Sequence, residues 1–234
     1  MTDHNTLLTV RNLTKIFAGE AGQPNRRQRD FIVALERVSF ELHRGEAVGL
    51  IGSNGSGKTT LLRLIAGTSV PTSGEIARAV RPRAIISMSG NLNNQLTARE
   101  NIYLYGSMLH LTRSELRDLE SGILQFAGLS DVADEPVRQF SLGMKLRLAF
   151  AIATSGRPDL LLIDEVITAG DAAWQVNGLN RLTELRRGGA GLLLATHDLS
   201  TMAKVVDRVI WLSTGRIKKI GPAAETIAAY RANN

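Results

Sequence analysis

Nine consecutive residues, Gly52-Ser53-Asn54-Gly55-Ser56-Gly57-Lys58-Thr59-Thr60, have the composition of a phosphate cradle. Gly52, Gly55 and Gly57 lack Cβ atoms, so the chain can fold tightly there and aim its N–H groups inward at an anion. Lys58 can then reach the β- and γ-phosphates of a nucleotide, and the Thr59 hydroxyl can ligate Mg²⁺. Two acids stand at the end of a second stretch, Asp159-Leu160-Leu161-Leu162-Ile163-Asp164-Glu165. Asp164 is placed to hold Mg²⁺ directly or through its water shell, and Glu165 to polarise an attacking water as general base. A histidine closes a third stretch, Gly191-Leu192-Leu193-Leu194-Ala195-Thr196-His197-Asp198. A lone histidine is usually structural, but His197 falls where it could donate a hydrogen bond to a γ-phosphate. The chemistry these groups imply is binding of a nucleoside triphosphate and loss of its terminal phosphate.

That chemistry needs particular elements beneath it. Ala47-Val48-Gly49-Leu50-Ile51 predicts a buried strand leading into the cradle, and Leu61 to Ala66 a helix leading out of it. The anion then meets the positive end of the helix dipole. The runs before Asp164 and His197 predict central parallel strands, buried on both faces, whose C-terminal tips carry function.

Around these, Leu7 to Val10 and Phe31 to Glu41 have the β-branched, partly alternating pattern of strands, and Ala18 to Asp30 that of an exposed loop. Arg26-Arg27-Gln28-Arg29 in that loop is consistent with phospholipid headgroups or, more simply, with a solvated face. Phe17, just before the loop, is either a core residue or a platform for a nucleotide base. Glu75 to Val80 and Ala84 to Met88 predict short strands. Thr97 to Glu100 is a capping signature that starts a helix, a second helix begins near Ser114, and Gly128 ends it. Residues from about Leu92 to Phe140 thus form a helical insert between two α/β segments. Leu146 to Ala153 predicts a further helix, Asp207 to Leu212 and Arg216 to Ile220 a hairpin, and Ala223 to Arg231 a last helix.

At 234 residues the chain can bury a full core, and 44% hydrophobic with 21% charged residues is ordinary for a soluble globular protein. With no cysteine, disulfides and thiolate metal sites are excluded. No apolar run approaches a membrane span, and the N-terminus lacks the apolar stretch of a signal peptide, so a cytoplasmic location is expected. The formal charge of +6 fits nucleic acid, anionic lipid or plain solubility, and does not choose among them.

The segment Phe140-Ser141-Leu142-Gly143-Met144, shortly before the Asp164-Glu165 strand, resembles the signature motif of ABC-type ATP-binding subunits. The resemblance covers almost the whole chain. It implies an α/β fold with a P-loop core on a mainly parallel sheet, an N-terminal antiparallel β subdomain and a helical insert. It implies one domain over residues 1–234, the core at 1–91 and 141–234 and the helical subdomain at about 92–140. By the same resemblance ATP and Mg²⁺ are the cofactors, Phe17 stacks on adenine, Asp171 matches the D-loop aspartate and His197 the switch histidine. Ser141, Gly143 and Met144 would face the γ-phosphate of ATP held by the other subunit of a head-to-tail homodimer. A hydroxyl and a residue without Cβ opening a helix make a second anion site, which is the physical sense of that motif.

Gly143-Met144 stands where the family usually has Gly-Gln, and Asp164-Glu165-Val166 where it has Asp-Glu-Pro. Both, with Leu96-Thr97-Ala98-Arg99-Glu100-Asn101-Ile102-Tyr103-Leu104-Tyr105-Gly106, are similar to the polysaccharide-export branch, which moves lipid-linked glycans such as O-antigen, capsule or teichoic acid. No glutamine stands near Ser87-Met88, where the family's Q-loop would place one. The chain ends at Asn234 without the C-terminal carbohydrate-binding domain of some members, so glycan specificity is expected elsewhere. The resemblance implies two integral membrane permease subunits as partners, no nucleic acid, and a peripheral place on the cytoplasmic face of the inner membrane. An ATPase for another transport substrate, a soluble relative acting on DNA or ribosomes, and a non-catalytic nucleotide sensor are the rival readings. The single ATPase unit disfavours the DNA or ribosome reading, and Glu165 with His197 disfavours the sensor.

Overall fold

The computed structural model describes residues 5–18, 31–86, 92–164 and 171–233. Two sheets organise the chain. The smaller is antiparallel, in the order β2 (Phe31–His43), β1 (Thr6–Ala18), β4 (Ser73–Arg78). The larger has six strands in the order β5 (Pro82–Ile85), β6 (Leu160–Asp164), β7 (Gly191–Ala195), β3 (Ala47–Ile51), β8 (Arg208–Ser213), β9 (Arg216–Pro222). Its first five strands are parallel and only β9 runs against its neighbour.

Strands β3, β6 and β7 are buried at every position, so the two-residue alternation of a half-exposed strand is absent from their sequences. The alternation survives in what each residue touches. Leu160, Leu162, Leu193, Ile210 and Leu212 pack on one side, against β1, β2 and α1 (Lys58–Ala66). Leu161, Ile163, Leu192, Leu194 and Val209 pack on the other, against residues of α4 (Leu142–Ala153), α5 (Ala172–Arg187), α6 (Leu199–Val205) and α7 (Ala223–Arg231).

Between β5 and β6 lie α2 (Ala98–Met108), α3 (Arg113–Ala127) and two 3₁₀ turns, Ser130–Val132 and Val137–Gln139. Each helix opens with a complete capping box, Thr97 with Glu100 and Thr112 with Glu115, and Gly128 closes α3 in the left-handed region at φ 67°. A third apolar cluster joins these helices to α4 through Leu148, Ala149 and Ile152. Phe150 and Ala153 of the same helix belong to the sheet cluster. α4 therefore spans both packing units, and its apolar residues leave no polar stripe at the seam.

Several boundaries differ from expectation. β1 runs on to Ala18 because it pairs with β2 on one side and β4 on the other. Its alternation is interrupted where the register shifts between Val10 and Leu13; Asn12 there takes φ 47° and its N–H donates to Ser39 Oγ at 2.8 Å. β4 and β5 each begin two residues earlier than the sequence suggested. Helices α5 and α6 were not anticipated. α5 carries Gly178 in its interior and exposes Val176, which blurs its apolar period, and α6 is only 7 residues long. The expected loop from Ala18 to Asp30, with Arg26, Arg27 and Arg29, falls almost wholly outside the described residues, as does the Q-loop position near Ser87-Met88.

At the start of β7 the two sheets nearly touch. A Cβ on Gly191 would stand 2.4 Å from Leu42 Cδ2 and 2.7 Å from Leu7 Cδ1. Gly191→Ala should therefore destabilise the fold by about 1–3 kcal/mol, the usual cost of overpacking. Urea denaturation checks this, and a midpoint equal to wild type would show that the layers can part freely.

Candidate functional site

Parallel strands leave the sheet in the same direction, so the tips of β3, β6 and β7 come together at one edge. The register sets Asp164 opposite Ala195, one residue before Thr196 and two before His197. The cradle from Gly52 to Gly57 leaves β3 at this edge and α1 begins at Lys58.

Two glycines of the cradle are sterically required. Gly52 has φ 150°, and a Cβ on it would meet Leu212 O at 2.2 Å. Gly57 caps α1 at φ 105°, with Ala34 O 2.6 Å from where its Cβ would lie. Gly55 has φ 76°, with open space around its Cβ position. Lys58 is buried, and its Nζ donates to Gly52 O at 2.7 Å and Ser53 O at 3.1 Å. The lysine thus folds over its own loop. Ser56 is buried, and among the described residues its Oγ has no hydrogen-bond partner.

Thr59 Oγ1 donates to Asp164 Oδ2 at 2.8 Å, which joins the first turn of α1 to the tip of β6. These two oxygens are the pair the sequence proposed for a metal. They are hard donors of the kind Mg²⁺ takes, one or two from protein with the rest from water and phosphate. Among the described residues no group of three or more His, Cys, Asp or Glu forms a metal cage.

A cavity of about 230 Å³ opens over the cradle, lined among others by Asn54, Gly55, Lys58, Thr60 and His197. Its remaining wall, Ile32, Val33 and Ala34, comes from β2. The sequence reading passed over these; the available signal was an apolar run, Phe31-Ile32-Val33, next to a polar loop. Phe31, Ile32 and Val33 are exposed, as is Phe17, at 67%, 59%, 46% and 42%. Phe17 is therefore no core residue. It pairs with Ile32 across β1 and β2, beside the cavity wall, and Lys15 Nζ stands 4.8 Å from its ring centre.

His197 is exposed and leads into α6, which Asp198 caps by accepting from Ser200 N and Thr201 N. Hydrogen bonds from the Ser200 and Thr201 hydroxyls hold the Asp198 carboxyl at a pKa of about 2. Asp171 plays the same part for α5, accepting from Trp174 N at 2.8 Å, and it also accepts from Arg147 of α4 at 2.7 Å. Its pKa is lowered, chiefly by the Trp174 N–H. Glu165 lies outside the described residues.

The remaining predicted residues stand on α4. Ser141 is exposed at its N-cap, and its Oγ accepts from Met144 N at 3.2 Å. Outside its own helix backbone, the nearest described atom to a Cβ on Gly143 would be Ser141 Oγ, at 3.8 Å, so among the described residues no such neighbour demands glycine there. The structure thus brings Lys58, Thr59, Asp164 and His197 to one edge. Ser141, Gly143 and Met144 do not line the cavity above the cradle.

The family model described as ABC transporter matches residues 35–168, from β2 through the cradle, the helical segment and the tip of β6. The chain belongs to the ABC transporter family. It is an ATP-binding, ATP-hydrolysing cassette of that family. The O-antigen export system ATP-binding protein RfbB of Klebsiella pneumoniae is 38% identical over 199 residues, 85% of this chain and 81% of that protein. The teichoic acids export ATP-binding protein TagH of Bacillus cereus is 39% identical over 88% of this chain and 38% of its own greater length. Among solved structures, the ATP-binding subunit of an ABC transporter superposes with a TM-score of 0.81 at 29% identity, covering 97% of this chain and 94% of that one. A dimeric bacterial ABC transporter cassette gives 0.79 at 25% identity, over 93% and 99% of the two chains.

In this ABC cassette the cap of α6 gives a pH test. A carboxyl whose folded pKa is depressed adds stability above its ordinary value and loses it as pH falls through the folded value. The stability difference between wild type and Asp198→Asn should be full above about pH 4 and close as pH falls towards 2, given a shift from 3.8 to about 2. Urea midpoints across that range measure it. A difference that stays constant with pH would show that the Asp198 charge contributes nothing.

Proposed function

We propose that this cassette powers export of a lipid-linked polysaccharide through a separate membrane permease, as a head-to-tail homodimer that shares its two ATP sites. The observation that carries the substrate class is the likeness, over more than four-fifths of the chain, to ATP-binding proteins named for export of O-antigen and of teichoic acids. Both cargoes are cell-surface glycan polymers. Among the described residues no helix is long and apolar enough to cross a membrane, and this reading gives the path across the bilayer to the permease. Two permease subunits, a peripheral place on the cytoplasmic face of the inner membrane and no nucleic-acid partner complete the reading. We assign residues 1–234 to one domain, with the core at 1–91 and 141–234 and the helical subdomain at about 92–140.

In this reading Lys58 exchanges the carbonyls of Gly52 and Ser53 for the β- and γ-phosphate oxygens, while the N–H groups of residues 52–60 bind the phosphates. Thr59 and Asp164, 2.8 Å apart, are the residues that would hold Mg²⁺, which would supply neutralisation of the phosphate charge. Phe17 stacks on the adenine, its exposed ring leaving a face for the base. Glu165, next in sequence to the tip of β6, draws the proton from the attacking water, and His197 donates to the γ-phosphate. On the opposite subunit Ser141 meets the same phosphate. Its Oγ accepts from Met144 N, which leaves the hydroxyl hydrogen to donate outward. Gly143 then offers its backbone N–H at the positive end of α4, with Met144 beside it holding the Ser141 hydroxyl, and Asp171 lies at the junction between subunits.

Lys58→Ala tests the assignment in the cell that encodes the chain. Surface polysaccharide should fall by about tenfold or more, as loss of phosphate-binding charge predicts, while lipid-linked glycan accumulates inside. Undiminished surface polysaccharide with the Lys58→Ala protein as the sole copy would overturn the export reading.

A further inference from the structure

The stretch between β5 and α2 contains a hydrogen-bonded brace that the mechanism above does not use. Asn101, on α2, is fully buried. Its Oδ1 accepts from Asn93 N at 2.7 Å, and its Nδ2 donates to Asn93 O at 3.0 Å and Thr97 O at 2.8 Å, with Leu96 O at 3.2 Å. A buried amide satisfied this completely fixes the backbone from 93 to 97.

That fixed backbone grips the start of α4 on both sides of Ser141. Before it, Arg138 N donates to Asn94 O and Val137 N to Leu96 O, each at 2.9 Å. Arg138 also donates from its guanidinium to Gln95 Oε1 at 3.0 Å. Beyond it, Lys145 Nζ donates to Asn94 Oδ1 at 2.9 Å. Asn94 therefore holds residue 138 with its backbone and residue 145 with its side chain. The turn from Ser141 to Met144 lies between these two grips, and it is otherwise exposed or half-buried.

We propose that Asn94 is a positioning residue for the Ser141–Met144 turn, holding it through Lys145 at the orientation in which it meets the γ-phosphate of the opposite subunit. The inference rests on the shared-site reading. A displacement of about 1 Å in such a contact costs orders of magnitude in rate, so a surface hydrogen bond here has a consequence beyond stability.

Two measurements separate the inference from the reading beneath it. The first is residue-resolved amide hydrogen exchange on the nucleotide-free chain. Asn94→Ala should raise exchange at Met144 and Lys145 by about three- to tenfold, the worth of an exposed charge-assisted hydrogen bond, with the melting temperature unchanged. The second is ATP-induced dimerisation, whose midpoint protein concentration should rise by a similar factor while ATP affinity of the single chain holds. Lys145→Met should reproduce both effects, and the double variant should be no worse than either single one. Asn94→Asp should restore both, because a carboxylate still accepts from Lys145. Unchanged exchange in Asn94→Ala, or Asn94→Asp as loose as Asn94→Ala, would overturn the inference. Failure of the wild type to dimerise with ATP would count against the shared site, while the exchange comparison would still decide the positioning.

Discussion

The hydrogen bond from Thr59 Oγ1 to Asp164 Oδ2 ties the first turn of α1 to the tip of β6 across 105 residues of sequence. It exists because β3, β6 and β7 are parallel and wholly buried. A strand covered on both faces has only its end free for polar chemistry, so the cradle, the acids and the histidine must share one edge. The two sheets and the helices behind them hold that edge rigid. Gly52 and Gly57 are forced by the same closeness, since Leu212 O and Ala34 O occupy the space a side chain would need.

In the proposed reading the same arrangement leaves the chain alone with only part of a site. The cradle collects hydrogen-bond donors and positive charge: Lys58, the α1 N-terminus and, at its wall, the His197 ring. The Asp164 carboxylate meets it through the Thr59 hydroxyl. The Ser141 turn is a second positive helix end where a Cβ on Gly143 would meet only Ser141 Oγ, at 3.8 Å, yet it does not line the cavity above the cradle. Two such helix ends on one chain suit the proposed triphosphate gripped between two copies. α4 links the turn to the rest, packing partly with α2 and α3 and partly with the sheet.

Much of this was legible in the sequence. Gly52 to Thr60 gave the cradle by residue type and spacing, and Asp164 and His197 followed from apolar runs that end in polar residues. Thr97 with Glu100 announced the start of α2, whereas α3, expected near Ser114, turned out to open on a second such pair, Thr112 with Glu115. Less visible was whatever depends on tertiary pairing. Asn12 breaks the β1 alternation at a bulge, so the strand looked short. α5 and α6 owe their stability to caps and to packing of Trp174, Leu182 and Met202 rather than to a clear apolar period. Phe17 could be judged only once β2 was seen beside it, leaving its ring exposed. The brace around Asn101 unites residues from 93 to 145, and no local pattern announces it.

The central claim is that each ATP site is built from two chains, and mixing two defective chains tests it directly. Lys58→Ala removes the phosphate cation, and Ser141→Arg puts bulk where the γ-phosphate must fit, so each homodimer should lose both sites. In a dimer of one chain of each kind, one site carries both defects and the other carries neither. ATPase activity should return in the verified mixed dimer at about half the wild-type level if the sites act independently, and lower if they are coupled. Were each site contained in a single chain, every site in the mixture would keep one defect. Activity no higher than that of the two parent variants would then contradict the account.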